Sequence, residues 1–583
     1  MPIIHADIHI DIPHTSLTEF ILDRITPERE ALPAYFEAST GRQLTYGEFK
    51  SSVESISRAL ADSSSPWGGI KQGDVVGVFA PNCVDFAVLF HGILRARGTA
   101  TTANPTYVSS ELAYQISDAG AKILFVHPTV LSVALEAADQ VKLPRSHIVL
   151  LDAPKSASQG FMTFQQLLEI GSTLKPLPSI RFTMKESKNS IAIIPYSSGT
   201  TGRSKGVELS HYNIISNVLQ IMRIEENHWK EGVDTVIGYL PLFHMFGNML
   251  FLNVSPFALT RCIIVTKFDL AKYCELVQTY RVKYLHMVPP TVIQLVKSRV
   301  PDSYDLSSAH TVISGAAPLG EEVEKELWEK FKIKSRQTWG ATEQSCSGTL
   351  VYEFHFGALR TLIRAYNPRS YMREWDPHQN GTIGKPLPNV DLSVRDPESN
   401  RILGPEEEGE IWSRGSNIML RYHNNTKATQ ESLIPDPDGK GSWYRTGDIG
   451  KYDKTGVFTI TDRLKELIKY KGFQVPPAEL ESVLLGHTLV ADVAVIGVPD
   501  YVSQELPKAF IVLKDPQRAS ADLAAELVSY VRGKVAPHKR LRGGVEFLAE
   551  IPKSASGKIL RRLLRDQEKA LYEKRRVSEK ARL

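Results

Sequence analysis

Short runs of β-branched residues alternate with helical patterns from Leu44 to about Thr311. The runs include VVGVFA, ILFVH, HIVLLD, IAIIPY, TVIGYLP and CIIVTKF, and segments such as SSVESISRALAD separate them. This alternation is typical of βαβ units, in which helices cover the faces of parallel sheets. The predicted fold class is therefore α/β, with a large N-terminal body that contains several sheets.

The pattern changes near Asp462, which indicates a second folding unit. A βαβ-like stretch, GEIWSRG followed by GVFTITDR, leads to a further αβ run through VADVAVIGVP and KAFIVLKD. A chain of 583 residues also exceeds the size at which one hydrophobic core keeps growing. We predict a large domain at residues 1–462 and a small, mobile α+β domain at residues 463–583, joined at Arg463–Lys465.

Charge and cysteine content exclude several classes of protein. The net charge is +4, and no long block carries one sign before the last turns, which argues against a nucleic-acid binder. The four cysteines lie too far apart for a paired zinc-ligand pattern and are too few for a disulfide framework. No run approaches the length of a membrane span, and the N-terminus lacks the apolar region of a secretory signal. These features favour a small-molecule enzyme from a reducing compartment.

The last three residues, Ala581-Arg582-Leu583, have the form of the SKL-type peroxisomal address. They predict recognition by the peroxisomal import receptor and a peroxisomal location. The alternative is that the tripeptide carries no signal, which would leave the protein in the cytoplasm.

The run YSSGTTGRSKG, from Tyr196 to Gly206, follows the apolar strand IAIIPY and precedes a helix that should begin at Ser210. Glycines permit backbone conformations that turn successive N–H groups toward one point, hydroxyls add donors, and a lysine supplies a cation. The run does not fit the GxxxxGK[ST] pattern, and a flexible linker would not follow a buried strand or hold a lone lysine. We predict a phosphate cradle at a strand-to-helix turn. Its members are Ser197, Ser198, Gly199, Thr200, Thr201, Gly202, Lys205 and Gly206.

Nine motifs in this order resemble those of the adenylate-forming superfamily, which includes acyl-CoA synthetases, 4-coumarate–CoA ligases, luciferases and peptide-synthetase adenylation domains. The resemblance covers nearly the whole chain. Within the superfamily, the chain is similar to fungal peroxisomal acyl-CoA ligases of secondary metabolism. The motifs are LTYGEF (44–49), NPTYVSSELAYQ (104–115), YSSGTTGRSKG (196–206), LPLFHMFG (240–247), SGAAPLG (314–320), QTWGATE (337–343), YRTGDIG (444–450), DRLKELIKYKGFQV (462–475) and PKSASGKILRR (552–562).

The resemblance implies an ATP-dependent acyl-CoA ligase. A carboxylate attacks the α-phosphorus of ATP to give an acyl-adenylate and diphosphate, and the thiol of CoA then displaces AMP. The co-substrates are ATP and CoA, with Mg²⁺, and the acid is an aryl, medium-chain or polyketide-derived one. Two alternatives stay open: a luciferase-like adenylating oxidase, and a stand-alone adenylation enzyme that loads a carrier protein.

The resemblance also implies roles for single residues of the adenylation site. Thr342 contacts phosphate, and Glu343 binds Mg²⁺ through a hard oxygen ligand. Trp339 stands where the family usually has tyrosine and stacks on adenine. Asp448 accepts hydrogen bonds from the ribose hydroxyls, and Arg463 adds a second ribose or phosphate contact. Gln337 and Thr338 precede the tryptophan and are expected to contact the nucleotide as well.

One lysine, Lys558, is expected to enter the adenylation site from the C-terminal domain and stabilise charge on the carboxylate and α-phosphate. Rotation about Lys465 then removes it and presents the Lys471-Gly472-Phe473 segment to the thioester site. The alternative interpretation is that Lys465 is an ordinary exposed lysine at a helix edge. Lys469 and Gln474 are expected on the AMP or CoA side.

The acid pocket is assigned by the same resemblance. His244 gates the passage between this pocket and the CoA tunnel. Phe246, Ala316, Ala317 and Thr338 line the pocket, and Thr338 stands where 4-coumarate ligases have glycine, so one wall is bulkier.

The segment Val351–Arg373 adds about twenty residues between the Glu343 motif and the turn at Gly381–Gly384. One interpretation is a lid or partner surface, and the other is an intron translated in error. Its position directly after the Mg²⁺ segment favours the second, because added length there should disturb the acyl pocket.

Overall fold

The computed structural model describes residues 3–153, 158, 160–197, 203–225, 229–350, 381–471, 473–500, 503–554 and 557–580. Several predicted features lie outside these residues: most of the cradle (198–202), the added segment 351–373, Gly472, the side chain of Gln474 and the C-terminal tripeptide.

The largest sheet has nine strands and confirms the predicted α/β pattern. Its centre is parallel, with Val75–Phe79 between Thr99–Ala103 and Ala121–Val126. The strands in spatial order are Tyr196–Ser197, Lys205–Ser210, Ile191–Ile193, Thr99–Ala103, Val75–Phe79, Ala121–Val126, Ile148–Leu150 and Met162–Thr163, with Arg421–Tyr422 beside Lys205–Ser210.

The element that follows the predicted phosphate cradle is a strand and not the helix that we predicted. A strand, Lys205–Ser210, intervenes before the helix His211–Ile224, so the cradle belongs to a β-hairpin and not to a strand-to-helix turn. The strand forms because it finds partners on both sides, Ile191–Ile193 and Arg421–Tyr422. The helix nevertheless begins where predicted, with Ser210 as its N-cap, since the Ser210 hydroxyl accepts from the N–H of Asn213.

Two further sheets complete the predicted βαβ part. One contains Thr235–Gly238, Arg261–Ile264, Pro33–Glu37 and Gln43–Thr45, and the other contains Tyr284–Met287, Thr311–Ser314, Lys334–Trp339, Thr349–Leu350 and Lys385–Pro386. The three strands that begin the second of these are parallel, so their carboxyl ends meet at one edge.

The βαβ-like interpretation of GEIWSRG and GVFTITDR was wrong, because both strands pair antiparallel with Ser442–Tyr452. The chain reverses directly at 453–457, where Asp453 accepts backbone N–H groups and Gly456 has φ +81°. The strands of this sheet are Ile3–His5, Val390–Arg395, Gly409–Gly415, Ser442–Tyr452, Leu433–Pro435 and Phe458–Arg463.

Residues after 463 build a fifth sheet with a hydrophobic core of its own. Its strands are Phe473–Val475, Ile468–Tyr470, Gln504–Leu513, Val490–Asp500 and Gly544–Phe547. Three helices, Pro477–Leu485, Ala521–Arg532 and Arg561–Lys580, accompany them. This is the α+β composition that we predicted, while the exact domain boundary at 462/463 stays a prediction.

The remaining described α-helices precede residue 433, and a π-helix, Asn248–Val254, connects two of them. Among the described helices, none is long and apolar enough to cross a membrane. The bounds are Leu17–Leu22, Tyr46–Ala61, Val84–Arg95, Ser109–Asp118, Leu131–Val141, Phe164–Thr173, Met184–Asn189, His211–Ile224, Met245–Gly247, Ser255–Ala258, Leu270–Tyr280, Pro289–Lys297, Glu321–Phe331 and Thr426–Ser432.

Candidate adenylation site

Glu343 lies at the centre of a polar cluster that joins two of the sequence motifs to Tyr422, which belongs to neither. Its carboxylate Oε1 accepts from Ser197 Oγ at 3.0 Å and from Tyr422 OH at 2.8 Å. Lys205 Nζ lies 4.2 Å from the centroid of the Tyr422 ring, within range of a cation–π contact. The fold therefore brings together the described ends of the cradle and the predicted Mg²⁺ ligand.

Backbone pairing fixes the positions of these side chains. Ser197 pairs with Lys205, which closes the cradle at its base, and the next strand pairing places Tyr422 opposite Val207. Glu343 lies in the one-turn helix Thr342–Gln344 and is 7% exposed. Thr342, predicted on phosphate, begins this turn and is half-buried.

The predicted ribose site contains Asp448 between two donors. Trp339 Nε1 donates to Asp448 Oδ2 at 2.8 Å, and Arg463 Nε lies 3.3 Å from Asp448 Oδ1. Asp448 and Arg463 are direct partners across two antiparallel strands. The charge of Asp448 is also the main cause that raises the pKa of Arg463. The structure thus brings the three predicted nucleotide residues together.

Lys558 reaches the same cluster from the C-terminal unit. Burial lowers the pKa of its ammonium group to about 8; the charge of Arg463 acts in the same direction, and Asp448 and Glu343 oppose it. A Cβ on Gly557 would lie 3.3 Å from Val288 Cγ2 and 3.4 Å from Pro290 Cγ, and Gly557 has φ +79°. Glycine therefore allows the loop to approach the body closely.

His244 lies near Lys558 and is uncharged. Burial lowers the pKa of its imidazole to about 3, and the charge of Lys558 adds to the effect. Its Nδ1 accepts from the N–H of Phe246 at 3.2 Å. The loop that carries it is held by Asn82, whose Nδ2 donates to the carbonyls of Gly238, Leu240 and Val265 and whose Oδ1 accepts from Leu242 N.

Two of the predicted acid-pocket residues meet at Gly315. A Cβ on this glycine would lie 2.9 Å from Thr338 Cγ2 and 3.2 Å from Phe246 Cε1. Thr338 Oγ1 donates to the carbonyl of Thr349 at 2.9 Å, which directs the methyl group to this point. Ala316, in the left-handed region with φ +73°, and half-buried Ala317 follow directly in the chain.

Gly340 connects the tryptophan to the Glu343 turn through a close backbone approach. A Cβ at this position would lie 1.9 Å from the carbonyl oxygen of Cys346. Buried asparagines secure the same loop, because Asn217 and Asn417 both donate to the carbonyl of Ser347. Two buried side chains thus hold the loop.

Some predicted residues are not part of this cluster. The side chain of Gln337 bonds to the backbone of Leu319 and to Glu324, so its amide is already used within the protein. Lys465, Lys469 and Lys471 are exposed in this conformation, and Lys471 has φ +47°. Their roles after a domain rotation stay predictions, as do those of Gly472 and Gln474.

Sequence reasoning missed Tyr422 and Asn82. Tyr422 becomes informative only once its strand is known to pair beside Lys205. Asn82 carried a usable signal, since it is a polar residue close to the carboxyl end of the buried strand VVGVFA, where binding and positioning groups of α/β proteins collect. Tyr444 is buried near Glu343 and Asp448. It begins the motif YRTGDIG, in which we had assigned a role only to Asp448.

Comparison with known proteins identifies the family of the chain. The profile of the AMP-binding enzyme family matches residues 23–423, and that of the AMP-binding enzyme C-terminal domain matches residues 479–558. The chain belongs to the AMP-binding enzyme family.

Relatives place this AMP-binding enzyme among the ligases. Probable 4-coumarate–CoA ligase 1 of Dictyostelium discoideum is 39% identical over 517 residues, which cover 85% of this chain and 86% of that protein. Peroxisomal OPC-8:0-CoA ligase 1 of Arabidopsis thaliana is 35% identical, covering 94% of this chain and 92% of that protein. These relatives confirm the predicted enzyme class, an AMP-forming carboxylate–CoA ligase.

The structure of ATP-bound MatB from Rhodopseudomonas palustris superimposes with a TM-score of 0.79 at 26% identity, covering 96% of this chain and all of that one. The predicted fold class, a large α/β body with a small C-terminal domain, is confirmed.

Proposed function

We propose that this AMP-binding enzyme uses Mg²⁺ and ATP to activate an aryl, medium-chain or polyketide-derived carboxylic acid of secondary metabolism, and passes the acyl group to CoA. The observation that carries the proposal is the meeting of Lys558, from the C-terminal unit, with Glu343, Asp448 and Arg463 of the body. Groups that neutralise charge from several sides are what adenylation needs.

Different residues of the site have different roles in adenylation. Asp448 and Trp339 hold the nucleoside end of ATP, while Lys205 and Ser197 face its phosphates. Lys558 places a positive charge where the carboxylate attacks the α-phosphorus, and its long stem reaches this point from the mobile unit. His244, uncharged, can stand beside Lys558 without repelling it.

The donor set around Glu343 is compatible with Mg²⁺. Among the described residues there is no group of three or more His, Cys, Asp or Glu side chains that could hold a metal by themselves. Mg²⁺ bound with a nucleotide takes one or two carboxylates and completes its shell with phosphate oxygens and water, which one buried carboxylate satisfies. Bound there, Mg²⁺ would neutralise phosphate charge, and Ser197 and Tyr422 would keep Glu343 oriented.

The pocket wall that Thr338 and Phe246 form at Gly315 supports the proposal that the preferred substrate is an acid other than 4-coumarate. The threonine adds a methyl group and a hydroxyl where 4-coumarate ligases have glycine, so the pocket is narrower at this point. We propose that the preferred acid is flexible or slim at the corresponding atoms.

We also propose a peroxisomal location and recognition by the peroxisomal import receptor. The Arabidopsis thaliana relative, peroxisomal OPC-8:0-CoA ligase 1, supports this. A fluorescent protein that ends in Ala-Arg-Leu should collect in peroxisomes, and one that ends in Ala-Arg-Ala should not.

A panel of aryl, medium-chain, branched and polyketide-derived acids tests the function. Diphosphate release should depend on ATP, Mg²⁺ and one class of acid, and acyl-CoA should form when CoA is added. Transfer only to a carrier protein would favour stand-alone adenylation, and oxygen-dependent light emission from an adenylate would favour the luciferase-like alternative. Absence of acid-dependent diphosphate release across the panel would refute the proposal.

A further inference from the structure

The inference concerns the indole of Trp339 and rests on the proposed assignment of Asp448 to the ribose of ATP. We propose that Trp339 is a positioning residue that orients the Asp448 carboxylate through its N–H group, so that recognition of both ribose hydroxyls depends on this hydrogen bond. This role is separate from the stacking on adenine that a flat ring at this position provides.

The surrounding protein fixes the orientation of the Trp339 indole, as a positioning role requires. Trp339 ends the strand Lys334–Trp339, pairs with Thr349, and is 8% exposed. Ile313, Leu350 and Phe458 belong to the same buried cluster. A Cβ on Gly348 would lie 3.2 Å from Cζ3 of the ring, so a neighbouring backbone also limits its movement. The direction of the Nε1–H bond is thus set by packing.

The two oxygens of Asp448 face different groups of the protein: Oδ2 accepts a hydrogen bond, and Oδ1 lies in an ion pair. Nε1 of Trp339 reaches Oδ2 at 2.8 Å, and Nε of Arg463 lies 3.3 Å from Oδ1. A carboxylate offers about four acceptor sites, so one site on each oxygen remains. Two adjacent hydroxyl groups of a ribose match two remaining acceptors on a carboxylate whose plane is fixed.

Loss of the indole donor should therefore matter most when both hydroxyls are present. Without it, Oδ2 has no fixed donor, and the carboxylate can rotate about its side-chain bonds. ATP, which uses both oxygens, should lose more affinity than 2′-deoxyATP or 3′-deoxyATP, which use one.

The test measures binding of ATP, 2′-deoxyATP and 3′-deoxyATP by calorimetry on the full-length protein, with Mg²⁺ and without acid. In Trp339→Phe, the Kd for ATP should rise about tenfold, as expected for loss of a hydrogen bond to a charged group. The preference for ATP over each deoxy analogue should shrink. Trp229→Phe is the matched control, because Trp229 Nε1 also donates to a buried carboxylate, Glu225, at 2.9 Å, outside the site.

A second variant separates the hydrogen bond from ring size. Replacement of the Trp339 indole by benzothienyl puts sulfur in place of N–H and keeps the ring and its volume, so it should also reduce the preference. Equal weakening of all three nucleotides in both variants would overturn the inference and leave only a stacking role. A normal ribose preference together with no acid-dependent diphosphate release would refute the proposed function and leave the inference standing.

Discussion

Tyr422 contacts both Lys205 of the predicted cradle and Glu343, the proposed Mg²⁺ ligand. Its hydroxyl donates to Glu343 while its ring faces Lys205. Tyr422→Phe removes the first contact and keeps the second, so the KM for Mg-ATP should rise about tenfold with a smaller change in kcat. Diphosphate release measured against free Mg²⁺ should show a higher Mg²⁺ requirement.

Tyr35→Phe is the control for this prediction, because Tyr35 is a buried tyrosine whose hydroxyl donates to the carbonyl of Phe251 in the core. It should leave the Mg²⁺ requirement unchanged. Tyr422→Leu, which loses both contacts, should be worse than Tyr422→Phe, and an equal effect of the two would show that the Lys205 contact contributes nothing.

The acid–base behaviour of Lys558 gives a second prediction at this scale. Its pKa is lowered to about 8 in the free protein, so the ammonium group loses its proton as the pH rises through 8. Because adenylation needs the charged form, kcat/KM for ATP should fall above about pH 8. Lys558→Arg, which stays charged at all accessible pH values, should show lower activity without this alkaline decline.

His244 gives a prediction for the acid side of the same pH dependence of kcat/KM. Its imidazole, with a pKa of about 3, is neutral from pH 5 upward. A decline in kcat/KM near pH 6 that disappears in His244→Ala would contradict this assignment.

At the scale of elements, the sequence predicted most of the parallel strands but not how the cradle is closed. VVGVFA and IAIIPY are buried runs whose composition decides their structure locally. The strand Lys205–Ser210 depends on partners far away in the chain, Ile191–Ile193 and Arg421–Tyr422, so local pattern could not reveal it. The same reason hid Tyr422, whereas Glu343 and Asp448 were found because their motifs are contiguous.

The loop after Trp339 gives a prediction that concerns an element as a whole. Gly340→Ala would place a methyl group against the carbonyl of Cys346, a backbone atom that Asn217 and Asn417 help to hold through Ser347. Overpacking of this kind costs about 1–3 kcal/mol. The melting temperature should fall, and ATP affinity should fall with it, since Glu343 follows in the same loop. Gly533→Ala, where an added Cβ would meet only ordinary contacts at 3.7 and 3.8 Å, should change neither.

At the scale of the whole molecule, specific contacts attach the C-terminal unit to the body. Asp462 Oδ2 accepts from the N–H of Ala478, and a Cβ on Gly320 would lie 2.9 Å from Ser482 Oγ. Arg561 forms ion pairs with Glu466 and Glu481 beside the predicted hinge. Such an arrangement can hold one orientation and still release it, as a two-step reaction requires.

Separate assays of the two half-reactions test this rotation. Lys558→Ala should reduce acyl-adenylate formation from ATP by at least about a hundredfold, since a charge placed on the transition state is lost. Thioester formation from a preformed acyl-adenylate and CoA should be nearly unchanged, because the rotated unit no longer uses Lys558. Lys553→Ala is the matched control on the same loop, where the lysine pairs with Asp492 within the C-terminal unit. An equal loss in both half-reactions would mean that Lys558 serves one fixed geometry and that the unit does not turn between the steps.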